Sequence, residues 1–210
     1  MARYDAKEDA DAADEVLLCQ KLGLTAESTV VDLGAGTGQF ALAVAPHCAR
    51  VIVVDVSPVM LDRLRAKVVD AGLTNVDVVE AGFLTYHHDG RPADLVYSRY
   101  ALHHLPDLWK AVALARLHHM LRPDGVFRLW DVVYSFGPLE AEERLEAWCA
   151  SVGTDGDEGW SRPELEEHVR DESSTFTWLL EPMMERTGFR VEGAAYSDDG
   201  IFAKYVLRRP

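Results

Sequence analysis

The chain has 210 residues, 48% hydrophobic and 27% charged, the balance of a globular domain large enough to bury a core. Its net charge of −14 argues against a nucleic-acid partner, because phosphate-backbone binding relies on clustered Lys and Arg. The three scattered cysteines (Cys19, Cys48, Cys149) point to free thiols and no metal site, and the acidic start and lack of a long apolar run point to a cytoplasmic protein with no membrane contact.

Residues 14–23 read as the end of a helix stopped by Gly23. The β-branched run "STVVDLG" is a buried strand that breaks into glycines, and "QFALAVAPHC" is helical in pattern. "RVIVVDV" is a second buried strand, followed by a helix with Ser57 as N-cap, Pro58 at its first position and Gly72 as its stop. "NVDVVEA" and "ADLVYS" are a third and a fourth strand. "LPDLWKAVALARLHHML" is an amphipathic helix, with His118 on its surface and His119 toward the core, ended by the turn "RPDG". "VFRLWDVV" is a fifth strand, and strands alternating with helices at this spacing imply a parallel sheet covered on both faces. After two acidic helical stretches and the helix "FTWLLEPMMERTG", the strands "FRVEGAAYS" and "IFAKYVLRR" are set for an antiparallel hairpin.

The stretch "VVDLGAGTGQF" is the chemical signal. A glycine-rich turn between strand and helix lets a ligand approach the backbone, beside the free N–H groups of a helix N-terminus. Dinucleotide enzymes use G-x-G-x-x-G there. Here Gly34, Gly36 and Gly38 give G-x-G-x-G, and the third dinucleotide glycine falls on Gln39.

The longer pattern D-L-G-A-G-T-G resembles the Rossmann-like (class I) S-adenosylmethionine-dependent methyltransferases, over about residues 28–133. The resemblance implies an α/β, three-layer Rossmann-like methyltransferase fold. Its sheet would be mostly parallel and seven-stranded with an antiparallel last strand, and helices would cover both faces. The expected parts are an N-terminal helical cap (1–27), a cofactor-binding core (28–133), a helical lid (134–178), and a C-terminal helix and hairpin (179–210). The resemblance gives Asp32 the methionine amino end of the cofactor. It sets Gly34, Gly36 and Gly38 beneath methionine and ribose, and gives Asp55 both ribose hydroxyls. A carboxylate suits the last task because it only accepts hydrogen bonds and can take two donors. Val56 and Met60 fall where the family packs adenine, and Ser98 and Arg99 should line the methionine half. Where many relatives carry an aspartate for the adenine amino group, this chain has Gly82 followed by Phe83.

The implied reaction is in-line transfer of a methyl group from S-adenosylmethionine to a small-molecule acceptor, leaving S-adenosylhomocysteine. Such a displacement depends mainly on alignment and exclusion of water, so a dedicated catalytic residue is not required. Tyr4, His103, Trp160, His168 and Trp178 are the candidates for the substrate pocket. His103 and His104 are adjacent, so one should face the cleft and the other pack away from it. Residues 139–200 carry seventeen acidic against five basic side chains; facing the cleft, they would favour neutral or amine-bearing acceptors. Protein or tRNA methylation, a binding protein without turnover, and a dehydrogenase remain the alternatives.

Overall fold

Strand β1 (Thr29–Leu33) is buried at every residue, as a strand covered on both faces must be. The computed structural model describes residues 12–152 and 160–210. It sets β1 in a sheet with β2 (Arg50–Asp55), β3 (Val76–Glu80), β4 (Ala93–Arg99), β5 (Leu121–Tyr134), β7 (Arg190–Tyr196) and β8 (Phe202–Arg208). The order is β3-β2-β1-β4-β5-β8-β7, and a two-residue strand, β6 (Thr175–Phe176), adds to β5 in parallel. The first five strands run parallel, while β8 lies antiparallel to both β5 and β7. The expected mostly parallel sheet with an antiparallel final strand is therefore present.

Helices cover both faces. Helices α1 (Ala12–Lys21), α2 (Gln39–Val44) and α3 (Pro58–Asp70) bury Val16, Cys19, Phe40, Leu61 and Leu64 against Val30, Val51 and Val53. On the other face, α4 (Asp107–Met120) and α7 (Thr177–Arg186) bury Ala113, Leu117, Leu180 and Met184 against Val31, Val96 and Phe127. Successive strand residues point to opposite faces, which is why neighbours such as Val30 and Val31 serve different cores. A buried ion pair fixes α1: Glu15 takes two hydrogen bonds from Arg128 of β5, both at 2.7 Å.

Two local expectations change. The "RPDG" turn does not end before the strand but forms a bulge within β5, with Ala93 opposite Leu121 and Leu95 opposite Val126. Asp124 takes a positive φ there, and its N–H donates to the Arg209 carbonyl. On α4 the two histidines exchange roles: His118 packs edge-on against Phe189, and His119 is exposed. Position 118 lies one turn after buried Leu114, whereas 119 follows the half-buried Ala115.

Strand order reverses between β1 and β4, the place where open α/β sheets form a crevice beyond the strand carboxyl ends. Past that edge, α5 (Ala141–Ala150) and α6 (Arg162–Asp171) pack on each other. Tyr134, Phe136, Trp148, Phe176 and Phe202 join the core beneath them. Among the described residues, no helix is long and apolar enough to cross a membrane.

Candidate functional site

The loop between β1 and α2 is shaped by the chain itself. Gly34 and Gly38 have φ of 72° and 78°. A Cβ on Gly34 would stand 2.2 Å from the Ala101 Cβ, and one on Gly38 2.1 Å from Leu64 Cδ1. Both glycines thus answer to neighbouring protein atoms and to backbone conformation. Gly36, at φ 54°, aims its N–H at Asp55 Oδ2, 2.8 Å away.

Asp55 is buried at the last residue of β2. Its other oxygen accepts from the Ser57 N–H at 2.8 Å. Each carboxylate oxygen has a second lone pair, so the group is oriented by two amides and keeps acceptor capacity. Val56 follows with 69% of its surface exposed, and Met60 is half-buried at the start of α3, whose N-cap is Ser57. Gly82 follows β3, and a Cβ there would come within 2.8 Å of Val56 Cγ1. A side chain at position 82 would therefore have to displace Val56. Phe83 is partly buried against the core.

Asp32, on β1, is almost fully buried and lines a small cavity with Ala12, Gly34, Ala35, Gln39, Phe40, Tyr97 and Arg99. The wall is stiffened by Phe40 stacked on Tyr97, ring centroids 3.7 Å apart. Arg99 ends β4 with its guanidinium 3.9 Å from the Trp130 ring centre, and its buried Nε has no hydrogen-bond partner. Ser98 is fully buried and its Oγ also lacks a partner. Asp32, Gly34 and Arg99 share one cavity, and Asp55 reaches the same loop through Gly36.

The substrate-side candidates divide. Tyr4 lies outside the described residues. Trp160 and Trp178 are 46% and 54% exposed, and Trp178 stacks on Phe176; neither lines the cavity beside Asp32. His103 and His168 do come together. A short 3-10 turn over Leu102–His104 sets the His103 and His104 rings 4.3 Å apart, with His103 buried and His104 57% exposed. His103 Nδ1 contacts Asp131 Oδ1, and its Nε2 lies 2.7 Å from Glu172 Oε2. His168 Nδ1 approaches the same oxygen at 2.5 Å, and its Nε2 lies 3.1 Å from Ser174 Oγ.

Burial alone would lower the His103 pKa, but the carboxylates of Asp131 and Glu172 override it and raise it to about 9. His168 goes the other way, to about 4, because burial outweighs the attraction of Glu172. Burial also lowers the His104 pKa. Asp131 and Glu172 carry no sequence motif that marks them for this cluster. Asp131 also accepts from the backbone N–H groups of Leu102, His103 and Val132.

The acids of α5 and α6 mostly face solvent. Glu142, Glu143, Glu146, Glu166 and Glu167 are exposed, and Arg162 pairs with Glu146 and Glu166. The hollow between α5 and α6 is open and touches no residue of the glycine loop.

Residues 30–125 match a family profile described as "Methyltransferase domain". The uncharacterized methyltransferase YcgJ of Bacillus subtilis (strain 168) is 32% identical over 127 residues, 60% of this chain and 49% of that protein. Its crystal structure superimposes with a TM-score of 0.67 at 17% identity, covering 95% of this chain and 96% of the other. The trans-aconitate 2-methyltransferase of Methylobacterium radiotolerans is 30% identical over 167 residues, 72% of this chain and 58% of that one. The [4+2]-cyclase SpnF superimposes with a TM-score of 0.71 at 16% identity, covering 94% of this chain and 79% of its own. The chain spans about half the length of the curated relatives it matches.

Proposed function

Because the chain belongs to the Rossmann-like S-adenosylmethionine-dependent methyltransferase family, we propose that it moves the methyl group of S-adenosylmethionine to a small-molecule acceptor by in-line displacement. The observation that carries the reading is the Asp55 carboxylate, fixed through Gly36 and Ser57 at the end of β2 with acceptor capacity to spare.

The residues present fit the cofactor. Asp55 would accept from the two ribose hydroxyls, the exposed Val56 with Met60 would cover one face of adenine, and the Phe83 backbone and ring would meet its edge. Gly36 lets the backbone pass close beneath the ribose. Asp32 suits the ammonium of the methionine end and the unpartnered Arg99 Nε its carboxylate, while the adjacent Ser98, fully buried with its side chain on the opposite face of β4, does not line that cavity. The bound cofactor supplies an electrophilic methyl on a sulfonium. The protein then has to hold the acceptor behind that methyl and keep water away, a task for α5 and α6.

A small-molecule acceptor fits the net charge of −14, which disfavours nucleic acid, and one relative is named for the small molecule trans-aconitate. The outward-facing acids of α5 and α6 leave little ground for an amine preference. SpnF is a reminder that this fold also carries other chemistry, so the reaction has to be read from the site.

The test is to incubate the protein with methyl-labelled cofactor and a host extract, with Asp55→Ala as control, then separate small molecules, protein and nucleic acid. Label in the small-molecule fraction, lost with Asp55→Ala, is the expected result. Label in protein or RNA overturns the acceptor class, and no transfer to any fraction favours a binding protein.

A further inference from the structure

Zinc sites announce themselves in sequence by Cys/His spacing, and this chain has none, so its sequence predicts no metal. The fold nevertheless gathers three donors from two distant segments. One donor atom from each of His103, His104 and Glu172 lies within 4.8 Å of the others. Glu172 Oε2 is 2.7 Å from His103 Nε2 and 3.7 Å from His104 Nδ1. Two bonds of about 2.1 Å to one ion place their donor atoms roughly 3–3.5 Å apart, so these separations need only small adjustment.

The second observation concerns direction. Glu172 Oε2 is buried and is approached by His103 Nε2 at 2.7 Å and His168 Nδ1 at 2.5 Å, contacts whose angles fall short of strict hydrogen-bond geometry even though the charges attract. An ion shared between the ring nitrogens and this carboxylate would satisfy the oxygen.

The third observation is the supporting shell. The distal nitrogen of His103 is engaged by Asp131, the carboxylate–histidine arrangement that fixes the tautomer of metal-ligating imidazoles. His168 contacts the Glu172 carboxylate, and its own far nitrogen meets Ser174. The backbone after α6 is tied down at the same place: the Ser173 N–H donates to the His103 carbonyl, and buried Lys110 donates to the Ser173 carbonyl. Glu172 is therefore held against the two histidines by contacts that do not require the ion.

The geometry points to a divalent transition-metal site formed by His103, His104 and Glu172 at the carboxyl end of β4, with Asp131 and His168 as positioning residues. Two imidazoles and one carboxylate suit a first-row ion such as Zn²⁺, Fe²⁺ or Co²⁺ and leave coordination positions for another ligand. His104 is 57% exposed, so solvent and small ligands can reach this side of the cluster. An acceptor oxygen bound there would be polarised and would lose its proton more readily. The site does not depend on the methyl-transfer reading, since the metal alone probes it.

The experiment uses the full chain stripped with a chelator and titrated with Co²⁺, followed by visible d–d absorption, with Zn²⁺ as competitor and thermal unfolding in parallel. The expected result is one Co²⁺ per chain, displaced by Zn²⁺, and a metal-dependent rise in Tm. His104→Ala, at a half-exposed position where folding should survive, should weaken binding by roughly tenfold or more, and Glu172→Gln should do the same. His118→Ala combined with His119→Ala, away from the cluster, should leave the spectrum unchanged. Absence of stoichiometric binding overturns the inference. So does binding that survives His104→Ala and Glu172→Gln but disappears in the His118/His119 variant.

Discussion

Gly36 donates its backbone N–H to Asp55 Oδ2 at 2.8 Å, and this bond joins the loop after β1 to the end of β2. The loop's conformation and the carboxylate's orientation are thus one structural fact. The glycine's freedom to adopt φ 54° is what turns its N–H toward the acid.

Gly38 should tolerate a methyl group poorly, for two separable reasons. Its φ of 78° costs a non-glycine residue on the order of 1–3 kcal/mol, and the new Cβ would overlap Leu64. Gly72, at φ 64°, has nothing within 4 Å and supplies the strain without the overlap. Thermal unfolding should show Gly38→Ala losing on the order of 10 °C and Gly72→Ala clearly less. Equal losses would mean that Leu64 yields without cost.

An aspartate at position 82 should harm this protein. A Cβ at that position would stand only 2.8 Å from Val56 Cγ1, so Gly82→Asp must displace Val56. Affinity for S-adenosylhomocysteine should drop by roughly tenfold, about 1.4 kcal/mol. Adding Val56→Ala should recover part of the thermal stability that Gly82→Asp costs, without restoring the adenine contact proposed for Val56. Calorimetry on both variants distinguishes this from an effect of charge alone, which the second substitution would not repair.

Glu15→Ala should destabilise the fold by about 3–5 kcal/mol, because it strands the buried Arg128 guanidinium. Pairing it with Arg128→Met removes the orphaned charge and should return much of the loss. Chemical denaturation of both variants reads this directly. A double variant no more stable than the single one would show that the pair's packing matters more than its charge.

The parts legible in the sequence are those written in consecutive residues. The glycine loop, Asp32 and Asp55 each sit at the end of an apolar run, so their place at the strand ends follows from pattern. The histidine cluster is only half legible. His103 and His168 stand out as residue types, but Glu172 resembles every other acid around it until the chain folds it inward. Glu15 and Arg128, 113 residues apart, carry no local signal at all. A 3-10 turn sets the adjacent rings at 103 and 104 side by side, one buried and one exposed.

The most direct measurement is calorimetric titration of S-adenosylhomocysteine into the wild-type protein and into Asp55→Ala, with thermal unfolding to establish that the variant is folded. The wild type should bind one equivalent. The variant should bind on the order of 100-fold more weakly, about 3 kcal/mol for two hydrogen bonds to a charged acceptor. A wild-type protein that does not bind, or a folded variant that binds equally well, would contradict the assignment of Asp55 to the ribose and with it the proposed cofactor site.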